Sequence, residues 1–136
     1  MRFVPYEYQR YCTEYIKTHP IAALFLDMGL GKTVITLSAI KDLMLETFEV
    51  SKVLIIAPLR VARDTWPAEI EKWDHLKGLD ISVIVGDVKT RIAAVHHPAM
   101  IYIVNRVRIA SLWPVECAAM WLTASSTLST TLTARM

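Results

Sequence analysis

Short apolar runs alternate along this chain with longer segments whose apolar residues recur at helical spacing. The runs have the length and continuity of strands that are buried on both faces. They span 21–26, 53–57, 81–85 and 100–104. In the remaining segments apolar residues lie three or four positions apart, which predicts helices packed on a core. These helices span 6–17, 32–45, 61–73 and 88–96.

Strands that alternate with helices indicate an α/β domain with a mostly parallel sheet and helices on both faces. The chain has 136 residues, which is enough for one domain and its core. Hydrophobic residues make up 54% of it, and this fraction argues against a disordered protein.

Charge and hydropathy narrow the class of protein further. The net charge is +2, so the composition allows nucleic-acid binding without indicating it. The longest uncharged stretch, 117–134, is rich in Ser and Thr, which makes it a poor membrane span. Charged residues interrupt the first 18 positions, so no secretory signal is predicted. We therefore expect a soluble cytoplasmic protein that has no membrane partner.

The segment 27–33, Asp-Met-Gly-Leu-Gly-Lys-Thr, lies between a predicted strand and a predicted helix. Its glycines allow the backbone to turn its N–H groups toward phosphate oxygens, and the helix N-terminus adds its positive dipole end. In such a loop Lys32 reaches the β- and γ-phosphates and the Thr33 hydroxyl holds Mg²⁺. The strict phosphate-loop pattern is not met, because Leu26 stands where its first glycine belongs.

These residues resemble motif I of the Swi/Snf-type ATPases, a branch of the superfamily 2 helicases and translocases. Two further blocks agree in order and spacing. The segment 5–9, Pro-Tyr-Glu-Tyr-Gln, resembles the family's glutamine motif, and 53–58 followed by Trp66, Glu69 and Trp73 is similar to motif Ia and its helix. The resemblance implies a three-layer RecA-like first motor domain over 1–105 that binds ATP or ADP with Mg²⁺.

The resemblance also implies roles for individual residues. Gln9 contacts adenine, Thr33 is the metal ligand, and Pro58, Leu59 and Arg60 lie on the nucleic-acid side, with DNA as the expected partner. The nucleotide site as a whole comprises Gln9, Met28, Gly29, Leu30, Gly31, Lys32 and Thr33.

Catalytic acids are missing from this pattern. The family cleaves ATP with an Asp-Glu pair at the end of a later strand, whereas the only acid after Asp87 is Glu116. The second motor domain is absent too, so the chain alone is expected to hydrolyse little or no ATP, and no catalytic residue is assigned. Asp87 itself ends a strand, and a magnesium-binding role for it is the weaker interpretation.

Beyond 105 the family pattern gives way to a divergent Ser/Thr-rich tail, 106–136, whose order the composition leaves open. A truncated or frameshifted gene, a deliberate short form and a genuine divergent segment all fit this change. Two other functions therefore stand beside nucleotide binding. One is a non-catalytic protein that binds a partner, or a second copy, through the exposed cleft face; the other is a folded remnant without a selected role.

Overall fold

The computed structural model describes residues 1–107 and two further strands, at 120–124 and 131–133. Four α-helices are present in these residues: α1 (Glu7–Thr18), α2 (Lys32–Lys41), α3 (Trp66–Lys72) and α4 (Val88–His96). The strands are β1 (Val53–Ala57), β2 (Ile81–Ile84), β3 (Ile101–Asn105), β4 (Met120–Ala124) and β5 (Thr131–Thr133). One π-helical turn, Asp42–Glu46, prolongs α2, and another, Val61–Thr65, precedes α3.

The strands form one sheet in the order β2-β3-β1-β4-β5. All neighbours run parallel except β5, which is antiparallel to β4. In the register, Val53 lies opposite Ile101 on one side and opposite Met120 on the other. Every residue of β1 is buried, as expected for a strand with a neighbour on each side and helices on both faces.

Helices cover both faces of the sheet, which makes three layers. Alternate residues of β1 point to opposite faces, so Val53 and Ile55 join the core beneath α2 and α3, while Leu54 and Ile56 join the core beneath α4. The expected α/β domain with a mostly parallel sheet is therefore confirmed.

Helix α2 is buried on all sides, from Val34 to Ile40. A helix that is apolar all round needs partners all round. On one side Val34 and Leu37 pack on the sheet core. On the other, Ile35 and Ala39 pack in a second cluster with residues of α1 and of the segment before the loop. These partners are Cys12, Ile16, Ala22 and Leu24.

The predicted strand at 21–26 is wrong. This segment pairs with no strand in the described part of the chain. The physical reason is that β3 and β4 already occupy both edges of β1. The segment instead buries Ala22 and Leu24 between α1 and α2, and leaves Phe25 73% exposed. The apolar run at 21–26 therefore predicted correctly that part of the segment is buried, but it did not determine whether the segment pairs with a strand.

A polar contact lies beneath α2, where the Ser38 hydroxyl is 2.9 Å from Nε2 of His75. The His75 ring stacks on Phe3 with 5.0 Å between ring centroids. Its Nδ1 is buried and has no hydrogen-bond partner within the described residues. Burial lowers the pKa of His75, and the nearby Lys41 lowers it further.

The other predicted elements agree with the structure to within a few residues. The predicted helices correspond to α1, to α2 with its π turn, to the π turn with α3, and to α4. Strands β4 and β5 fall within the Ser/Thr-rich segment, for which the sequence predicted no element. Among the described residues, no helix combines the length and the hydropathy that crossing a membrane requires.

Candidate functional site

The loop 27–31 makes a tight turn into the N-terminus of α2. Gly29 has φ +84° and Gly31 has φ +74°, both in the left-handed region that favours glycine. Gly31 is the N-cap residue of α2, and no side chain caps the helix there. The first turn of α2 contains no acidic residue. The first backbone N–H groups of α2 thus face no side-chain cap and no carboxylate of their own turn, an arrangement suited to an anion.

The Lys32 ammonium is held by the loop that it belongs to. Its Nζ donates hydrogen bonds to the backbone carbonyls of Leu26, at 2.8 Å, and of Asp27, at 2.7 Å. The side chain therefore folds back across the turn instead of extending into solvent. This contact places the positive charge of Lys32 at the start of the loop.

Helix α1 contributes a second set of contacts to the loop. The Gln9 side chain is 6% exposed, and its Nε2 donates to the Leu30 carbonyl at 3.4 Å. Its Oε1 accepts a hydrogen bond from the Tyr6 backbone N–H at 3.0 Å. The Tyr8 hydroxyl also donates to the Leu30 carbonyl, at 3.2 Å. The glutamine segment and the loop, predicted separately from sequence, are thus in direct contact.

The remaining loop residues differ widely in exposure. Met28 projects outward and is 93% exposed, whereas Thr33 is half-buried in the first turn of α2. No cluster of three or more His, Cys, Asp or Glu side chains suited to a metal occurs in the described ranges. The sequence-based assignment of Thr33 to Mg²⁺ stays a prediction.

The predicted nucleic-acid residues follow the carboxyl end of β1. Pro58 is half-buried, and its carbonyl accepts the Ala62 N–H at 2.8 Å. Leu59 and Arg60 are exposed at the start of the helical segment. The hydrogen bonds described for the loop come from α1 and from the loop itself, so the structure gives no direct link between Arg60 and the glycines.

Other charged residues of this region pair locally. Arg63 donates to both carboxylate oxygens of Asp64, and Lys72 forms an ion pair with Glu69 at 3.4 Å. The carboxylate of Asp87 caps α4 by accepting the Thr90 N–H at 3.1 Å. Hydrogen bonds from Thr90 lower the pKa of Asp87. Capping of α4 is thus a structural role for Asp87, the acid that follows β2, and this role needs no metal.

Sequence reasoning missed two features of the site. It did not anticipate that Gln9 is buried against Gly31, or that Tyr8 reaches the Leu30 carbonyl. The position of Tyr8, next to Gln9 in a block that resembles a nucleotide motif, was the available signal. The contact itself depends on how α1 lies against α2, and no local pattern encodes that.

Comparison with known proteins shows the family of this chain. Residues 10–126 match the SNF2-related domain family, a match that begins directly after Gln9. The chain is also similar to "Putative protein p41" of Acyrthosiphon pisum secondary endosymbiont phage 1, with 38% identity over 104 residues. That alignment covers 76% of this chain and 23% of the relative, so the chain spans about a quarter of the relative's length. On the family match, which includes the whole loop and α2, the chain belongs to the SNF2-related domain family.

Proposed function

We propose that this chain binds an adenosine nucleotide, ATP or ADP, together with Mg²⁺, through the loop 27–33. The observation that carries the proposal is the backbone of Gly29 and Gly31, whose positive φ angles turn the chain into the uncapped N-terminus of α2. The Lys32 ammonium lies beside this turn and supplies a positive charge for the phosphates. Membership of a helicase-like family supports the same assignment.

The residues fit a bound phosphate group better than a metal alone. The N–H groups at the start of α2 and the Lys32 ammonium are donors for phosphate oxygens, and the Thr33 hydroxyl is a ligand for Mg²⁺. The metal would neutralise phosphate charge when bound. Gln9 is proposed to contact the adenine edge. Its amide oxygen and nitrogen each make one described hydrogen bond, and a side-chain amide can make two at each atom.

Hydrolysis is not part of the proposal. The loop 27–33 contains no glutamate, and the sequence contains no Asp-Glu pair after Asp87. Without a carboxylate to activate water, a phosphate loop alone positions the nucleotide without cleaving it. We therefore propose that this chain is the ATP-binding N-terminal part of a Swi/Snf-like helicase or translocase and is deficient in hydrolysis by itself.

Thermal unfolding with and without Mg·ATP and Mg·ADP tests nucleotide binding. A ligand at 100 times its Kd stabilises a protein by about 2.7 kcal/mol, which raises the midpoint of a domain this size by several degrees. We expect this shift in wild type and in Lys89→Ala, which removes an exposed lysine from α4, and its loss in Lys32→Ala. Absence of any shift in wild type at millimolar nucleotide would contradict the proposal.

DNA binding through Pro58 and Arg60 is a further part of the proposed function. Support comes from the exposure of Arg60 at the carboxyl end of a parallel strand, the edge at which ligands of open α/β sheets bind. If Arg60 contacts a phosphate, Arg60→Ala weakens DNA binding and reduces the salt dependence by about one counterion. An unchanged salt dependence would remove Arg60 from the interface.

A second candidate function is non-catalytic binding of a protein partner or of a second copy. Two exposed apolar side chains favour it, Phe25 just before the loop and Met28 within the loop. Phe25→Ser should then reduce self-association in sedimentation experiments, or reduce inhibition of a full-length motor, regardless of nucleotide. Association that depends on nucleotide and is unaffected by Phe25→Ser would favour the first function instead.

A further inference from the structure

Two side chains of α1 donate to one backbone oxygen in the phosphate loop. The Tyr8 hydroxyl lies 3.2 Å from the Leu30 carbonyl oxygen, and Gln9 Nε2 lies 3.4 Å from the same atom. A carbonyl oxygen has two lone pairs, so it can accept both hydrogen bonds. The Tyr8 bond is the shorter of the two.

These bonds control a group on the other side of the same peptide. The Leu30–Gly31 peptide is trans, as are all the peptide bonds described. In a planar trans peptide the C=O and N–H point in opposite directions. Donors that hold the Leu30 carbonyl toward α1 therefore aim the Gly31 N–H away from α1. This N–H belongs to the turn at which the proposed phosphates bind.

Hydrogen bonds that orient the Leu30–Gly31 peptide matter because residue 31 is a glycine. Without a Cβ, Gly31 can adopt many backbone conformations, and in the observed one, with φ +74°, it leads into α2. Gln9 alone makes a long hydrogen bond. The Tyr8 hydroxyl adds a second anchor to this peptide.

Tyr8 is suited to this role because a contact between rings helps to orient its side chain. Its ring stacks on Tyr6 with 6.0 Å between centroids and 8° between planes. It is 37% exposed, so the hydroxyl adds little to the core, and its described hydrogen bond is the one to the loop. Gln9, in contrast, also holds the start of α1 through the Tyr6 N–H.

We propose that Tyr8 is a positioning residue of the phosphate loop, whose hydroxyl aims the Gly31 N–H at a bound phosphate by holding the Leu30 carbonyl. The inference rests on the proposed nucleotide binding and adds a residue to it. Because the effect passes through the backbone, it concerns the phosphates of the ligand and not the base.

The test is calorimetric titration of Tyr8→Phe with Mg·ATP and with Mg·tripolyphosphate, which has no base. Tyr11→Phe is the matched control, because Tyr11 lies on the same helix, is 70% exposed and stacks on Tyr15. Loss of one hydrogen bond corresponds to a roughly three- to tenfold weaker affinity. We expect this loss for both ligands in Tyr8→Phe and an unchanged affinity in Tyr11→Phe. Without ligand, Tyr8→Phe should still unfold in a single transition, at a midpoint slightly below that of Tyr11→Phe, because it lacks the hydrogen bond to Leu30.

Several results would overturn the inference. Equal affinities of Tyr8→Phe and wild type would show that the hydroxyl does not position the loop. A loss confined to Mg·ATP would indicate contact with the base or ribose instead. Failure of wild type to bind either ligand would contradict the proposed function itself, and this inference with it, whereas the first two results leave nucleotide binding intact.

Discussion

The side chain of Gln9 fills the space beside the α-carbon of Gly31. A Cβ placed on Gly31 would lie 2.8 Å from Gln9 Nε2 and 3.1 Å from a methyl group of Val34. Gly29, two residues earlier, also has a positive φ, yet a Cβ there would meet nothing within 4 Å. Gly29 is therefore constrained only by its backbone conformation, whereas Gly31 is constrained by its backbone conformation and by the lack of space for a side chain.

This difference predicts unequal effects of alanine at the two glycines. Both Gly29→Ala and Gly31→Ala place a side chain at positive φ, which costs on the order of 1–2 kcal/mol. Gly31→Ala must also displace the buried Gln9 amide, and overpacking of this kind adds about 1–3 kcal/mol. Urea denaturation should therefore show a larger loss of unfolding free energy for Gly31→Ala. Equal losses would mean that Gln9 moves aside freely.

The stability of the fold should decrease in mild acid because of His75. Its pKa is lowered in the folded state, so the unfolded chain binds more protons between the folded value and the ordinary value of about 6.5. The contribution of His75 to the free energy of unfolding is therefore fully present above about pH 6.5 and decreases as the pH falls below that value. Denaturation of wild type between pH 5 and 8, as rough limits of the range in which histidine titrates, measures the effect.

Two variants separate His75 from the other groups that titrate in acid. His75→Gln keeps a hydrogen-bonding group near the Ser38 hydroxyl and should flatten the pH dependence. His97→Gln, at an exposed position after α4, should leave it as in wild type. A pH dependence that survives in His75→Gln would point to carboxylates, such as Asp74, whose pKa is lowered by hydrogen bonds from Lys77 and the N-terminal ammonium.

Packing of the segment 21–26 against α2 predicts energetic coupling between Leu24 and Ile35. Both belong to the cluster that joins α1, this segment and α2. Leu24→Ala should cost about 2–5 kcal/mol and Ile35→Val about 0.5–1.5 kcal/mol. In a double-mutant cycle, groups within one cluster couple by about 0.5 kcal/mol or more.

The same cycle has a control in the other core. Ile103→Val makes the same truncation on β3, in the cluster between the sheet and α2. Its effect should add to that of Leu24→Ala within about 0.5 kcal/mol. Additivity of Leu24→Ala with Ile35→Val as well would argue that the segment does not pack on α2 in solution.

The assignment of Asp87 as a helix cap predicts that it is dispensable for nucleotide binding. Asp87→Asn should preserve stability, because Asn caps helices about as well as Asp does. Asp87→Ala should lower the unfolding midpoint, because the Thr90 N–H loses its acceptor. Both variants should keep the shift produced by Mg·ATP, and loss of that shift in Asp87→Asn would revive the magnesium-binding interpretation.

Much of the fold could be predicted from the sequence because its signals are local. The apolar residues of β1 and β3 and the helical spacing of α2 and α4 are properties of neighbouring positions. The failure at 21–26 has a non-local cause, since pairing depends on which strands lie beside β1. Strand β4 does contain the apolar residues Met120, Trp121 and Leu122, but a Ser/Thr-rich stretch follows them, and β5 has only Leu132 between two threonines, so neither was predicted.

The candidate site divides in the same way. The turn into α2 was predictable because the glycines lie between an apolar run and a helical pattern and can adopt positive φ, whereas the phosphate-binding role of Gly29, Gly31 and Lys32 stays a prediction. The orientation of the Gln9 amide and the reach of the Tyr8 hydroxyl depend on the docking of α1 onto α2. Such contacts arise from tertiary packing, which the residue pattern alone does not specify.

The hydrogen bonds from Lys32 to the carbonyls of Leu26 and Asp27 give this side chain a role before any ligand binds. These hydrogen bonds join the first residue of α2 to the two residues before the glycine turn. Lys32→Ala therefore removes two hydrogen bonds within the loop as well as a positive charge. Amide hydrogen exchange over 26–31 should therefore accelerate in Lys32→Ala even in buffer free of nucleotide. The ammonium has three donors and these bonds use two of them, so one remains for a phosphate oxygen, and a ligand that takes more than one must displace a carbonyl.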